Sequence, residues 1–399
     1  MWLIRHGSTR KGKRYFPMFQ GNELKIKVNL LFILLLFFAI FIVAIPHSLA
    51  DRFDETTVMT SARALSMGNA GINSERGPNS VFYNPANIAA KNTAPSFQLM
   101  NFSVQANEML AGQSQEGGNV NILDLRKFYT TLDANKNAYE QARFSLYPNI
   151  TLRNLSLGVL YQKDRGAMVR ATDGALYVRA RDIVAPTAAL SFRLFGGILR
   201  FGGMVQILSY GYADKYVTGV LAPSDKDWGK QMTAKAGLAK TGGITVSLPF
   251  KYLPSFSFVA RNIGGTSFSR APIGTAGSSA DSIPTQKMTY DFGSSLTYYV
   301  SGQIESKFEL DYRDVTNRNK GSRMQRVFSG VEFSLFHYIQ LRAGYMHGYP
   351  TAGFGIGNQR GSVNISWYSD EMEERLRSFR DQKFVLQYTR SFLGGGTNE

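Results

Sequence analysis

The chain has 399 residues, 13% aromatic residues, 39 Gly, no Cys and a formal net charge of +16. Without Cys it forms no disulfide, thiolate metal site, Cys nucleophile or lipid-modified N-terminal Cys. Aromatic and Gly content at a mean hydropathy of −0.17 fits a β-rich chain better than a bundle of membrane helices.

One long apolar run occurs, residues 30–45. Lys25 and Lys27 precede it; Pro46, Ser48 and Ala50 follow it. A basic flank, an apolar stretch and a small-residue end predict that residues 1–50 are an N-terminal extension with a secretory signal cut after Ala50. The run is short for a spanning helix. Met18 makes a more ordinary start than Met1. Removing residues 1–50 leaves 38 basic and 28 acidic residues. In an exported chain that balance points to anionic lipid head groups. No basic helix or Lys/Arg run marks a nucleic-acid site, so no nucleic-acid partner is expected. Within the extension, "LIRHGSTR" at residues 3–10 resembles the Arg-His-Gly loop of the histidine phosphatase family. A signal peptide follows it in place of an α/β domain, so no catalytic role is expected for His6.

Residues 51–95 come next and show no strand pattern. They hold two spaced glycines, Gly68 and Gly71, and the sequence Tyr83-Asn84-Pro85-Ala86. Pro85 fixes its own φ and biases Asn84 away from the helical region, giving a stiff turn. Glycine permits close backbone approach.

From Ser96 to Phe392 the apolar residues alternate. Ile304, Ser306, Phe308, Leu310 and Tyr312 share one face of a strand; Gln303, Glu305, Lys307, Glu309 and Asp311 share the other. Apolar residues toward lipid and polar ones toward a lumen are the signature of a transmembrane antiparallel β-barrel. No sheet edge survives in hydrocarbon, so the sheet must close. Fourteen strands are predicted within residues 96–392, among them 155–164, 176–194 and 198–211. Short turns (153–154, 195–197, 249–254, 301–302, 337, 358–360) alternate with longer connections (107–141, 165–175, 212–232, 264–287, 316–323, 370–382). Tyr147, Tyr298, Tyr299, Tyr345, Tyr349, Trp367 and Tyr368 are expected at the water–lipid boundaries. Phe384, Leu386, Tyr388 and Phe392 form one face of a final strand. Residues 393–399 read as a flexible tail.

In the first long connection, Ile122, Leu125, Phe128, Tyr129 and Leu132 recur at helical spacing. They make a candidate amphipathic lid over the barrel mouth, or ordinary loop packing. Residues 370–382 read as a short charged helix in a loop. The row Glu305, Lys307, Glu309 and Asp311 is expected to pair internally or to bind the preceding segment. No metal constellation, nucleophile–base pair or phosphate loop is present, so no cofactor, metal or enzymatic activity is expected.

The pattern Arg, small residues, Gly-x-x-Gly, a polar gap and then aromatic-Asn-Pro-Ala just before the first strand resembles the N-terminal hatch of the FadL-type outer-membrane transporter family. It is also similar to the related PorV/PorQ-like and TraF-like barrels. The match falls on Arg63, Gly68, Gly71, Tyr83, Asn84, Pro85 and Ala86. The resemblance implies a hatch inside the lumen, a place in the cell outer membrane, and passive uptake of hydrophobic small molecules such as long-chain fatty acids. In that family the ligand leaves sideways through a wall opening beside a kinked strand. The PorV-like alternative implies a platform for protein secretion or surface attachment, with a secretion-system protein as partner.

Overall fold

A computed structural model describes residues 58–90, 95–115, 123–134, 136–217, 227–278, 282–319, 323–358, 360–371 and 380–392. The signal segment with His6, residues 51–57, Ile122 and the tail 393–399 lie outside the described residues.

Strands dominate. They are β1 (Ser96–Gln98), β2 (Met100–Asn107), β3 (Glu140–Leu146), β4 (Asn149–Thr151), β5 (Leu155–Val169), β6 (Leu176–Leu194), β7 (Leu199–Val217) and β8 (Thr233–Ser247). Then follow β9 (Ser255–Arg261), β10 (Thr289–Ser301), β11 (Ile304–Tyr312), β12 (Val327–Leu335), β13 (Ile339–Met346), β14 (Tyr349–Asn358), β15 (Gly361–Glu371) and β16 (Arg380–Arg390). All pairings between these strands are antiparallel. β2 pairs with β16 and β5 with β6, so the sheet closes on itself. β1 and β2 form one stave broken at Leu99; β3 and β4 form one broken at Tyr147-Pro148. The barrel therefore has the predicted fourteen staves.

The barrel is apolar outside and polar inside. On β11, Leu310 is exposed, while Lys307, Glu309 and Asp311 are buried. On β16, Phe384 and Leu386 are exposed and Lys383 and Gln387 buried. An apolar exterior of this kind needs lipid as its solvent, and closure satisfies every ladder without an edge. Among the described residues no helix is long and apolar enough to cross a membrane; the strands do the crossing.

Three expectations change. The strands β5, β6 and β7 run to 15, 19 and 19 residues, well past a membrane crossing of about 10. The connections 165–175 and 212–232 are correspondingly shorter, because the ladders continue up to Val169↔Leu176 and Leu176↔Val217. Second, Tyr147, Tyr345, Tyr349 and Tyr368 are buried, whereas Tyr299 is exposed as a boundary residue should be. Tyr368 lies on the inward parity of Asn364 and Ser366, and its hydroxyl donates to Gln105. Third, Asp370, Glu371 and residues 380–382 belong to the β15–β16 ladder; residues 372–379 of the expected helix lie outside the described residues.

Candidate functional site

Residues 58–90 lie against the inward-facing side chains of the barrel. They fold into α1 (Ala62–Ser66), α2 (Ser80–Tyr83) and a 3-10 turn, Pro85–Ala90. The Ser61 hydroxyl caps α1 by accepting from the Ala64 amide, which satisfies one of the donors a helix start leaves free. The segment ties its own turns with backbone bonds such as Leu65 to Ser61, Glu75 to Gly71 and Asn84 to Ser80. The wall supplies the rest.

One arc of the wall, β9 to β16, is polar and grips the segment through hydrogen bonds. Asp311 accepts from the backbone amides of Gly71 (2.8 Å) and Ile72 (3.1 Å). Glu309, two residues earlier, accepts from Asn73 (2.6 Å) and Ser74 (3.1 Å). Four consecutive backbone donors thus meet two carboxyl groups, so none of the four is left unsatisfied inside the lumen. Arg63 forks onto Glu332 with two 2.8 Å bonds and reaches Glu75 at 3.2 Å. Glu332 also receives Arg342 at 2.6 Å. Arg261, held by Asp291, donates to the carbonyls of Phe82 (2.6 Å) and Tyr83 (2.9 Å). Arg313 donates to the Asn69 carbonyl. The Glu305–Lys307 pair at 3.3 Å stands beside this network on β11.

Gly68, Gly71, Tyr83 and Asn84 have contacts that explain their type. Gly68 sits at φ +65°, and a Cβ there would come within 2.4 Å of backbone oxygens of Ser329 and Tyr345. Its amide donates to Thr351. At Gly71 a Cβ would lie 2.7 Å from the Tyr83 ring. The Tyr83 hydroxyl donates to Asn69 and accepts from the Ser61 amide. Asn84 donates to Ile72 and Thr245 and accepts from the Ala86 amide, closing the turn around Pro85. Arg63, Gly68, Gly71, Tyr83, Asn84, Pro85 and Ala86 are therefore brought together in one packed unit.

The wall carries matching notches that the sequence reading missed. Cβ atoms at inward-facing Gly202, Gly330 and Gly344 would lie 2.6 Å, 2.3 Å and 2.2 Å from backbone atoms of Pro85, Met67 and Gly68. Glycine inside a strand marks close approach of another backbone. That signal was in the sequence at each of these positions.

The inner face of the other arc, β5 to β7, is mixed: Gln162, Thr187, Ser191 and Gln206 are buried beside a run of apolar residues. Leu160, Ile183, Ala185, Ala189, Met204 and Leu208 pack against Met59, Val81, Phe82 and Ile88 of the inner segment. Those four residues meet the arc by apolar contact. Tyr147 closes one end, its ring edge-to-face with Phe82 at 4.9 Å and lying over Gly158.

Outside the same arc lies a membrane-facing groove of about 590 Å³. Its lining includes Phe97, Pro148, Ile150, Leu157, Pro186 and Val205. Here the wall is locally irregular. The second stave breaks at Tyr147-Pro148, and the β6–β7 ladder skips Ala185 and Pro186. Proline has no N–H to give a ladder.

Helix α4 (Leu125–Ala134), which follows α3 (Glu108–Gln115), carries four of the five candidate lid residues. Leu125, Phe128 and Leu132 are fully buried, with Tyr129 partly so, among Ala167, Val169, Leu176, Val178, Ala180, Ala213 and Trp228. The β5–β6 register puts Ala167 and Val178 on the face of Leu157 and Val159, the outward one. The helix thus covers the outer flank of the strand extensions. Beneath it Arg165 is paired with Asp182 and stacks on Trp228. This covered flank explains why β5 to β7 outgrow the bilayer. Among the described residues no group of three or more His, Asp and Glu is arranged to hold a metal.

Neither a protein-family model nor a curated protein sequence matches the chain. Solved structures do. The CymD monoaromatic hydrocarbon channel is 13% identical, with 85% of this chain and 99% of that chain covered and a TM-score of 0.47. The Pseudomonas putida toluene transporter TodX is 9% identical, covering 86% and 99%, with a TM-score of 0.44. A Pseudomonas aeruginosa FadL homologue is 10% identical, covering 86% and 100%, with a TM-score of 0.41.

Proposed function

We propose that the protein is an outer-membrane barrel for passive passage of hydrophobic small molecules, with residues 58–90 as a fixed stopper. The observation that carries this is the apolar seam between the inner segment and β5 to β7. Hydrogen bonds from β8 to β16, with an apolar cluster at Phe328, Met346 and Val385, anchor the segment on the other side. A hydrophobic solute gains by partitioning into an apolar seam and loses nothing in hydrogen bonds there. The seam runs along β5 to β7 and ends at Tyr147, behind the groove at Pro148 and Pro186. A route along that seam and out into lipid needs no covalent chemistry and no energy source.

Long-chain fatty acids are the ligands the hatch resemblance implies, and they serve as the test. Detergent-purified protein is titrated with a fluorescent fatty acid, with toluene as competitor. Saturable binding, displaced by unlabelled fatty acid, is expected. Binding absent for both fatty acid and hydrocarbon would remove the transporter reading.

A further inference from the structure

We propose that the short-turn rim of the barrel binds anionic phospholipid head groups of the leaflet around it. The rim is where the β-hairpins close tightly, at residues 152–155, 193–199, 247–255, 300–304, 335–339, 357–361 and 390–392. Its described turns carry Arg153, Lys251, Arg360 and Arg390, all exposed, with Arg193 half-buried. Among the described residues these turns contain no Asp and no Glu apart from their neighbour Glu305. That carboxylate is already paired with Lys307. The opposite end mixes signs: Asp124, Asp133, Asp173 and Asp227 stand among Arg126, Lys127, Lys136 and Arg170. The charge asymmetry therefore belongs to one end.

Four of the five rim cations have exposed apolar neighbours. Lys251 lies between Phe250 and Tyr252, 5.8 Å from the tyrosine ring centroid; Phe250 is 63% exposed. Arg193 adjoins Phe192 and Leu194, Arg390 is two residues from Phe392, and Arg153 follows Leu152, all of these apolar residues exposed. These side chains continue the lipid-facing belt down to the level where hydrocarbon gives way to head groups. Amphipathic rings favour that level. A cation held there meets phosphate before it meets anything else. An anionic lipid adds net attraction that a zwitterionic one lacks. The continuity with the lipid belt favours a lipid surface over an acidic protein.

The test uses full-length barrel in nanodiscs of phosphatidylcholine mixed with phosphatidylglycerol, with bound lipid counted by native mass spectrometry. Retained lipid should be enriched several-fold in phosphatidylglycerol over the bulk ratio, less so at high salt, as screening requires. The variant R153Q/K251Q/R360Q/R390Q should return to the bulk ratio. R126Q/K127Q/R170Q, at the other end, should keep the enrichment. Heat-modifiable gel migration checks that each barrel is folded, and single variants K251Q and R390Q should each lose part of the effect. A bulk ratio in the parent protein, or enrichment that survives the fourfold variant, overturns the proposal.

Discussion

Gly68 and Gly344 meet backbone to backbone: a Cβ on Gly344 would lie 2.2 Å from the Gly68 amide nitrogen and 2.3 Å from the Met67 carbonyl carbon. Neither atom is the end of a flexible side chain, and the next, the Ser329 carbonyl oxygen of β12 at 2.7 Å, is also backbone, so the packing of segment on wall must change to admit a side chain. Gly344→Leu is expected to unseat residues 62–71 while leaving the β12–β13–β14 ladder paired. Planar-bilayer recordings should then show conductance that the parent lacks, with unchanged heat-modifiable migration. Gly203→Ala, on the lipid side with its nearest neighbour 3.9 Å away, should stay closed. A silent Gly344→Leu would mean that the segment does not occlude the lumen.

Glu332 is shared between Arg63 of the inner segment and Arg342 of β13. Arg63→Ala leaves a buried carboxylate with one partner fewer and strips Glu75 of its cation. Breaking a buried pair from one side costs about 3 kcal/mol, so the segment should become sensitive to protease in an otherwise intact barrel. Arg63→Lys should not restore protection, because an ammonium cannot reproduce the fork onto both Glu332 oxygens. Limited proteolysis followed by N-terminal mapping reads both variants.

The carboxylates of Glu309 and Asp311 cover the amides of residues 71 to 74 in pairs. Asp311→Ala orphans two buried donors, each costing about 1–3 kcal/mol. Hydrogen exchange at Gly71 and Ile72 should accelerate, while Asn73 and Ser74 change less. Glu305→Ala, whose carboxylate faces Lys307, should leave all four amides as protected as before. Equal acceleration in both variants would deny the clamp.

The closed barrel was readable because its code is binary. On β11 the alternation of Phe308 and Leu310 with Lys307 and Glu309 dictates which face meets lipid, and short turns alternating with long ones fix the count of staves. Gly71 and Asn84 stood out as a motif because much of what they touch lies within the segment, Gly71 against the Tyr83 ring and Asn84 on Ile72 and Ala86. What stayed hidden was pairing between distant positions. Nothing near Arg63 names Glu332, and nothing near Gly68 names Gly344, since register across the lumen depends on how the closed sheet places its far wall. The boundary tyrosines failed for a related reason. Tyr147 and Tyr368 lie near strand ends, as girdle residues do, but their side chains point into the lumen, and position along a strand does not specify face. Helix α4 was visible from its spacing. Its partner, the outer flank of β5 to β7, was not, because an apolar outward face in a barrel looks the same under lipid as under a helix.

Ala188 and Ala189 are neighbours on β6 and face opposite ways. Ala188 is exposed to the membrane beside Leu157 and Val205, whereas Ala189 is buried in the apolar seam. A leucine at 189 adds three carbons to space that a hydrophobic solute would use; overpacking there costs about 1–3 kcal/mol, which a closed barrel tolerates. A leucine at 188 adds the same carbons to a surface already in contact with lipid. If solute passes along the seam, Ala189→Leu should weaken fatty-acid binding and slow uptake into liposomes by about tenfold, the equivalent of about 1.4 kcal/mol. Ala188→Leu, at a position that lines the outer groove, should leave fatty-acid binding in the seam at the parent level. Equal behaviour of the two variants would place the route somewhere other than the β5–β7 wall, since the pair differ in nothing but the side of the sheet that they occupy.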